Sequence, residues 1–116
     1  MSNLQNIEIE ETETFSKALK KLQKRFKNIE TDCDEFIQSL ETTQQLGTSL
    51  GNGVYKVRLA NSNKKSGKSA GYRLISYLKL IEGKLYLMYI YDKSDIDNIS
   101  EKQIDNLFQK AALNKK

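Results

Sequence analysis

Histidine is absent from the 116-residue chain, as are proline and tryptophan, and there is a single cysteine, Cys33. Without an imidazole, no mechanism that runs on a histidine base, acid or metal ligand is open to the protein. One thiol makes neither an internal disulfide nor a thiolate metal site, so Cys33 reads as a small buried apolar residue. The lack of proline excludes proline-rich motifs and argues against rigid linkers. Long apolar runs are missing too. The longest, Leu85 to Tyr91, falls far short of the ~20 residues that span a bilayer. The opening residues, Met1 to Glu8, carry acid where a secretion signal carries base followed by an apolar stretch. The expectation is a soluble, reduced, cytoplasmic protein without a membrane partner, built as one domain over residues 1–116.

Along the middle of the chain the scarce commodity is negative charge. Overall there are 19 Lys+Arg against 15 Asp+Glu, a net of +4. No Asp or Glu occurs between Glu41 and Glu82, a window that holds Lys56, Arg58, Lys64, Lys65, Lys68, Arg73 and Lys79. Such a stretch does not neutralise itself locally. It reads as a surface for a polyanion, unless acids from elsewhere in the fold pair with it.

Periodicity predicts the elements. Alternation at Ile7-Glu8-Ile9-Glu10 marks a first strand over residues 4–10. Phe15, Ala18, Leu19, Leu22 and Phe26 fall on one helical face, with Thr14 as N-cap and Lys17, Lys20, Lys21, Lys24 and Arg25 opposite as a solvated face. After a joint at residues 27–31, Asp32 and Glu35 have the spacing of a capping box for a second helix, whose apolar face is Cys33, Phe36, Ile37 and Leu40. Gly47, Gly51, Asn52 and Gly53 mark a loop.

Three strands follow. Val54 to Leu59 sets Tyr55, Val57 and Leu59 against Lys56 and Arg58 on the other face. Gly71 to Leu80 sets Tyr72, Leu74, Leu78 and Leu80 against Arg73, Ile75, Tyr77 and Lys79. Glu82-Gly83 is a tight turn. Leu85 to Tyr91 is apolar on both faces, hence central and covered on both sides. Ser100 and Gln103 form a capping box for a last helix, with Ile99 and Ile104 as its hydrophobic staple. The fold class is α+β: an N-terminal strand, a helical hairpin, a three-stranded antiparallel meander that completes a small sheet, and a C-terminal helix.

Two motifs are considered for chemistry and set aside. Gly67-Lys68-Ser69 has the ending of a phosphate-binding P-loop, but Ser62 stands where its first glycine belongs, and a strand rather than a helix follows. Asp92, Asp95 and Asp97 have the chemistry to hold Mg²⁺, yet Lys93 sits among them, so an exposed turn is the better reading. What remains is cationic and phenolic. Lys56 and Arg58 share a strand face, as do Arg73, Tyr77 and Lys79, and Tyr91 and Lys93 repeat the period-two spacing. With the apolar faces packed on the helical hairpin, these faces point together to the other side. Such a basic sheet with interleaved aromatics binds phosphates by charge and bases by stacking. Lys64 and Lys65 add charge in the adjoining loop.

The ordered set of segments Gly51 to Ala60, Gly67 to Ile75, Ile90 to Asp95 and Ile99 to Lys102 resembles the RelE/ParE toxin superfamily, in its HigB-like or RelE-like branch. The resemblance implies an endoribonuclease that cuts translated mRNA on the ribosome, and a cognate antitoxin that blocks it. The family's basic strand positions fall on Lys56 and Arg58, its next-strand arginine on Arg73, its basic residue after the last strand on Lys93, and its basic loop on Lys68. The late tyrosine of some members has no counterpart, since Ile99-Ser100 stand there.

Such chemistry needs neither histidine nor a cofactor. The RNA 2′-OH is the nucleophile, and cleavage needs a base, cations on the phosphorane and an acid for the leaving oxygen. An amine held among other cations gives up its proton more easily, which makes Lys56 or Lys68 the candidate base. Arg58 and Arg73 would clamp the phosphate. Tyr91 or Lys93 would donate the proton or stack on a base, with Lys64, Lys65, Tyr77 and Lys79 as further RNA contacts. Two other classes stay open: a ParE-like inhibitor of DNA gyrase, and a binding module of the same fold without toxicity.

Overall fold

The computed structural model describes residue 4, residues 6–64 and residues 70–113. Five strands form one sheet in the order β1-β5-β4-β3-β2. They are β1 (Glu8–Glu11), β2 (Thr48–Gly51), β3 (Val54–Leu59), β4 (Tyr72–Lys79) and β5 (Lys84–Asp92), and the helices are α1 (Glu13–Gln23), α2 (Ile29–Ser39) and α3 (Glu101–Lys110). β1 runs parallel to β5, and the other pairings are antiparallel. The α+β architecture is the expected one, with one strand more than the sequence suggested.

β5 is buried on both faces, as its apolar composition requires. On one side Leu85, Leu87 and Ile90 join Leu59, Tyr72, Leu74 and Leu78 in a core closed by Phe15, Leu22, Ile29 and Cys33 of the helical hairpin. On the other, Tyr86, Met88 and Tyr91 join Val54, Ile75 and Tyr77 beneath Ile104, Leu107 and Phe108 of α3. The strict alternation of a flat strand cannot give these two sets. Ile75 pairs with Tyr89 and Ser76 with Leu87, so Met88 is an extra residue in β5. This β-bulge turns the strand by one pleat. Odd-numbered residues face the hairpin before it (Leu85, Leu87), and even-numbered Ile90 does so after it. Tyr89 and Tyr91 are thereby delivered to the α3 side.

Several boundaries differ from the sequence expectation, each for a local reason. α1 starts after Thr12 rather than Thr14. The Thr12 hydroxyl accepts the Phe15 N–H and donates to the Leu87 carbonyl, which fastens the helix start to β5. α2 starts after Asn28. Asp32, expected as its cap, instead accepts hydrogen bonds from the Ser62 N–H and hydroxyl and holds the chain that leaves β3.

The segment read as a loop contains β2, an exposed edge strand. It turns into β3 through Asn52-Gly53, both at positive φ (55° and 83°), the conformation of a two-residue hairpin. Gly47 closes β2's other end: a Cβ there would sit 2.2 Å from the Lys56 carbonyl oxygen. Leu80, expected on the apolar face of β4, lies exposed in the 3-10 turn Leu80–Glu82. α3 has the expected capping box between Ser100 and Gln103, with Ile99 and Ile104 packed in the same cluster.

The hairpin core makes a simple prediction. Leu22 is buried in it, so Leu22→Ala should lower the unfolding free energy by about 2–5 kcal/mol in urea titrations. The fully exposed Ile81 should tolerate alanine without a measurable change.

A cationic cleft as candidate functional site

The register of the sheet assembles the site. Arg58 of β3 pairs with Arg73 of β4, and Arg73 pairs with Tyr91 of β5. Three candidate side chains thus stand in one row across three adjacent strands, about 4.8 Å apart per strand. All three lie on the face opposite the helical hairpin, because their neighbours Leu59, Tyr72, Leu74 and Ile90 face it. Lys56 stands two residues from Arg58 on the same face, beside Thr48 of β2. Lys93 follows Tyr91, and its backbone N–H donates to the Gly71 carbonyl. Gly71 is required there: a Cβ would sit 2.0 Å from the Leu59 carbonyl oxygen. Together Lys56, Arg58, Arg73, Tyr91 and Lys93 line a cleft of about 220 Å³ with Thr48, Leu50, Asp97 and Asn98.

Like charges directly opposite each other destabilise a sheet. Here the pair is Arg58 and Arg73, and the second is only 6% exposed, so little water screens it. Arg73 donates to the Tyr72 carbonyl. Lys56 and Arg58 make no ion pair among the described residues, whereas Lys93 bonds to the carboxylate and the carbonyl of Asp97. An anion in the cleft would take charge-assisted hydrogen bonds from these cations. Tyr91 is buried beside Arg73, and its ring lies 6.0 Å from that of Tyr89. Burial pushes its phenol above the ordinary tyrosine value, with Arg73 and a hydrogen bond at the Ile99 backbone pulling it partly back. At neutral pH it is a protonated donor.

Other sequence candidates lie elsewhere. Tyr77, expected among RNA-contacting aromatics, is fully buried under α3, edge-on to Phe108 at 4.8 Å and stacked with Tyr86 at 6.0 Å. Periodicity gave its face correctly, but α3 covers that half of the sheet. Lys79 stands at the far end of β4 and pairs with Glu82 at 3.0 Å. Lys64 is a fastening of the fold. Its ammonium lies 2.8 Å from Asp92, donates to the Ala70 carbonyl and sits over the Phe26 ring, on the hairpin side. Lys65 and Lys68 lie outside the described residues.

The acids after β5 also go separate ways. Asp92, expected in an exposed turn, is fully buried against Lys64 and Ser94. Asp95 pairs with Arg25 at 2.6 Å, and Asp97 with Lys93. Among the described residues no cluster of acids or cysteine converges on a metal position. Cys33 is buried as expected; burial first, then nearby acids, push its thiol up to about 12, which leaves it unreactive.

Compared with known protein families, residues 16–115 match the RelE toxin of the RelE/RelB toxin–antitoxin system. The chain belongs to the RelE toxin family. The match runs from within α1 to beyond α3, and so includes the whole cationic row. Toxins of this family are one half of a two-protein system, which makes an antitoxin the implied partner. No curated protein is similar enough to the toxin to serve as a closer guide. No helix among the described residues is long and apolar enough to cross a membrane.

The fastening beside the cleft has a pH signature. Burial raises the Asp92 carboxyl, but bonds from Lys64 and Ser94 outweigh it and hold the group below the ordinary carboxylate value. A depressed folded-state value means stability that is full above the ordinary range and lost as pH falls below it. Asp92→Asn should therefore lower the melting temperature at neutral pH and flatten its decline in acid, as read by thermal melts across that range.

Proposed function

We propose that this RelE-family toxin is an mRNA endoribonuclease that acts on the translating ribosome without a metal or cofactor. The observation that carries the reading is the row Arg58–Arg73–Tyr91, flanked by Lys56 and Lys93 and open in a cleft. The row suits a phosphodiester that carries its own nucleophile.

The 2′-OH attacks the adjacent phosphorus, so the O2′–P bond forms and the P–O5′ bond breaks. The products are a 2′,3′-cyclic phosphate and a 5′-hydroxyl. Arg58 and Arg73 hold the non-bridging oxygens, and their paired charge matches the dianionic phosphorane better than the monoanionic ground state. That difference is what accelerates a reaction. Lys56, across from the edge strand, is the candidate to take the 2′-OH proton. The phenol of Tyr91, kept protonated by burial, gives its proton to the departing O5′, with Lys93 alongside.

Induction of the toxin should stop translation and cut mRNA within codons. Arg73→Ala should lower cleavage by about 10²–10³ while the protein stays folded, since it removes one of two facing guanidinium groups; Arg58→Ala and Lys56→Ala should act in the same direction. Primer extension on induced cells, with melting curves of the purified variants, reads both halves. DNA breaks with gyrase trapped on DNA, and intact mRNA, would instead make the protein a gyrase inhibitor.

The same charges bear on the antitoxin. A carboxylate-bearing segment laid over the cleft would be steered there. Lys56→Glu and Arg58→Glu should slow its association and flatten the salt dependence of the rate in stopped-flow mixing. Unchanged kinetics with toxicity still neutralised would mean that the antitoxin acts by steric exclusion elsewhere on the surface.

A further inference from the structure

Arg58 lines two depressions: the cationic cleft on one side of the sheet, and on the hairpin side a groove of about 390 Å³ between β3 and α2. The groove exists because β2 is shorter than its partner. β2 pairs with Val54, Tyr55 and Lys56 only, whereas β4 pairs with β3 as far as Leu59. Gly47, at φ 96°, turns the chain at the Thr48 end of β2. Val57 to Leu59 are thus an open strand edge. Hydrogen-bonding groups along a strand point alternately to its two sides. The Lys56 carbonyl points to Gly47 on the β2 side, and the Leu59 carbonyl to Gly71 on the β4 side. Arg58 has the parity of Lys56, so its N–H and C=O point to the open side. Among the described residues no hydrogen bond reaches them there. Below the edge, Val57 and Leu59 pack with Phe36 of α2, and Asp32, Glu35 and Ser39 form the far wall of the groove.

We propose that this edge receives a short extended segment of the antitoxin, which adds a strand to the sheet beside β3 and places a carboxylate opposite Arg58. The inference deepens the antitoxin contact described above; it rests on the partner that the family implies and is independent of the ribonuclease reading. Unpaired main-chain groups above an apolar groove are what strand addition uses: the main chain supplies the bonds, and alternate side chains fill the groove. Residues directly opposed on neighbouring strands point to the same face. The residue opposite Arg58 therefore stands over the cationic cleft, while the residues on either side of it face Val57, Leu59 and Phe36. The segment reads apolar, acidic, apolar. On the groove side Asp32 and Glu35 would repel further acids, so the carboxylate belongs on the cleft face alone. A second copy of the chain fits this edge poorly. Two β3 edges joined about a two-fold axis at Arg58 would set arginine against arginine, and like charges directly opposed weaken a sheet. An edge that carries a cation is guarded against its own copies and open to an acid. The added carboxylate would also withdraw Arg58 from the row it shares with Arg73.

The test is amide hydrogen exchange, read by NMR on the toxin alone and on the purified toxin–antitoxin complex. In the free toxin the Arg58 amide should exchange at least tenfold faster than those of Val57 and Leu59, which point to β4. In the complex it should slow at least tenfold, and the antitoxin residue with cross-strand contacts to Arg58 should be Asp or Glu. Ser39→Trp, on the exposed wall of α2 and away from the cleft, should fill the groove, weaken antitoxin binding at least tenfold and leave the toxin's melting curve unchanged. Arg58→Glu should weaken binding too, and lysine in place of the antitoxin's facing acid should restore it. An Arg58 amide that stays unprotected in the complex would overturn the proposal. Protection confined to the amides around Arg73 and Tyr91 would also overturn it, while keeping an antitoxin over the cleft. So would undiminished binding in a folded Ser39→Trp toxin, and a protected Arg58 amide in a dimer of the free toxin would give the edge to a second copy instead.

Discussion

One extra residue in β5 decides what faces the cleft. Without the bulge at Met88, Tyr91 would point into the hairpin core and Ile90 would emerge among the cations. With it, Tyr91 joins Arg73 and Arg58 in a single row while Ile90 stays buried. The bulge is tolerated because β5 is covered on both sides: each side chain that changes face finds apolar neighbours there, from α1 and α2 or from α3. The site's composition is therefore inseparable from the two-layer packing around β5.

The two facing arginines add a second constraint. Folding brings Arg58 and Arg73 together on neighbouring strands, in a row that contains no carboxylate of its own. The remainder of the sheet must be stable enough to hold them there. Much of the surrounding polar network does this at the strand ends. Lys64 locks onto buried Asp92, Asp32 grips Ser62, and Lys84 reaches Glu10 of the parallel edge strand. Lys64 and Lys79, two cations of the acid-free stretch of sequence, are absorbed in such contacts, which leaves the charge concentrated where Lys56 and Arg58 stand.

The legible parts of the molecule are those fixed by short-range pattern. The bounds of β3, the faces of β3 and β4, the double burial of β5 and the capping box of α3 all follow from spacing and from neighbouring side chains. Lys56, Arg58 and Arg73 could be collected because period-two alternation groups them by strand face, whereas Tyr91 shares that face only through the bulge at Met88, which alternation does not announce. What escaped depends on distant contacts. Periodicity says which face Tyr77 occupies but not that α3 lies over it. It gives Lys64 a charge but not Asp92 as its partner, 28 residues away. Thr14 and Asp32 are sound caps by type, and lost the role because Thr12 also reaches Leu87 and Asp32 is drawn to Ser62. β2 has four exposed residues and no amphipathic pattern; the signal that could have found it is the Asn52-Gly53 turn. The groove along the open edge of β3 was likewise hidden, since its walls come from separate elements, α2 and β3.

The parallel pairing of β1 with β5 also has a consequence for the order of events during synthesis. Thr12 and Leu87, bonded in the finished molecule, are 75 residues apart. As the chain leaves the ribosome, the helical hairpin emerges without the strand it packs on. β3 and β4 can pair early, but β4 lacks its other neighbour until β5 is made. Long-range closure of this kind is slow compared with local helix formation. The arginine row gains its tyrosine only when β5 joins β4, so the nascent toxin carries no assembled cleft until that strand has been made.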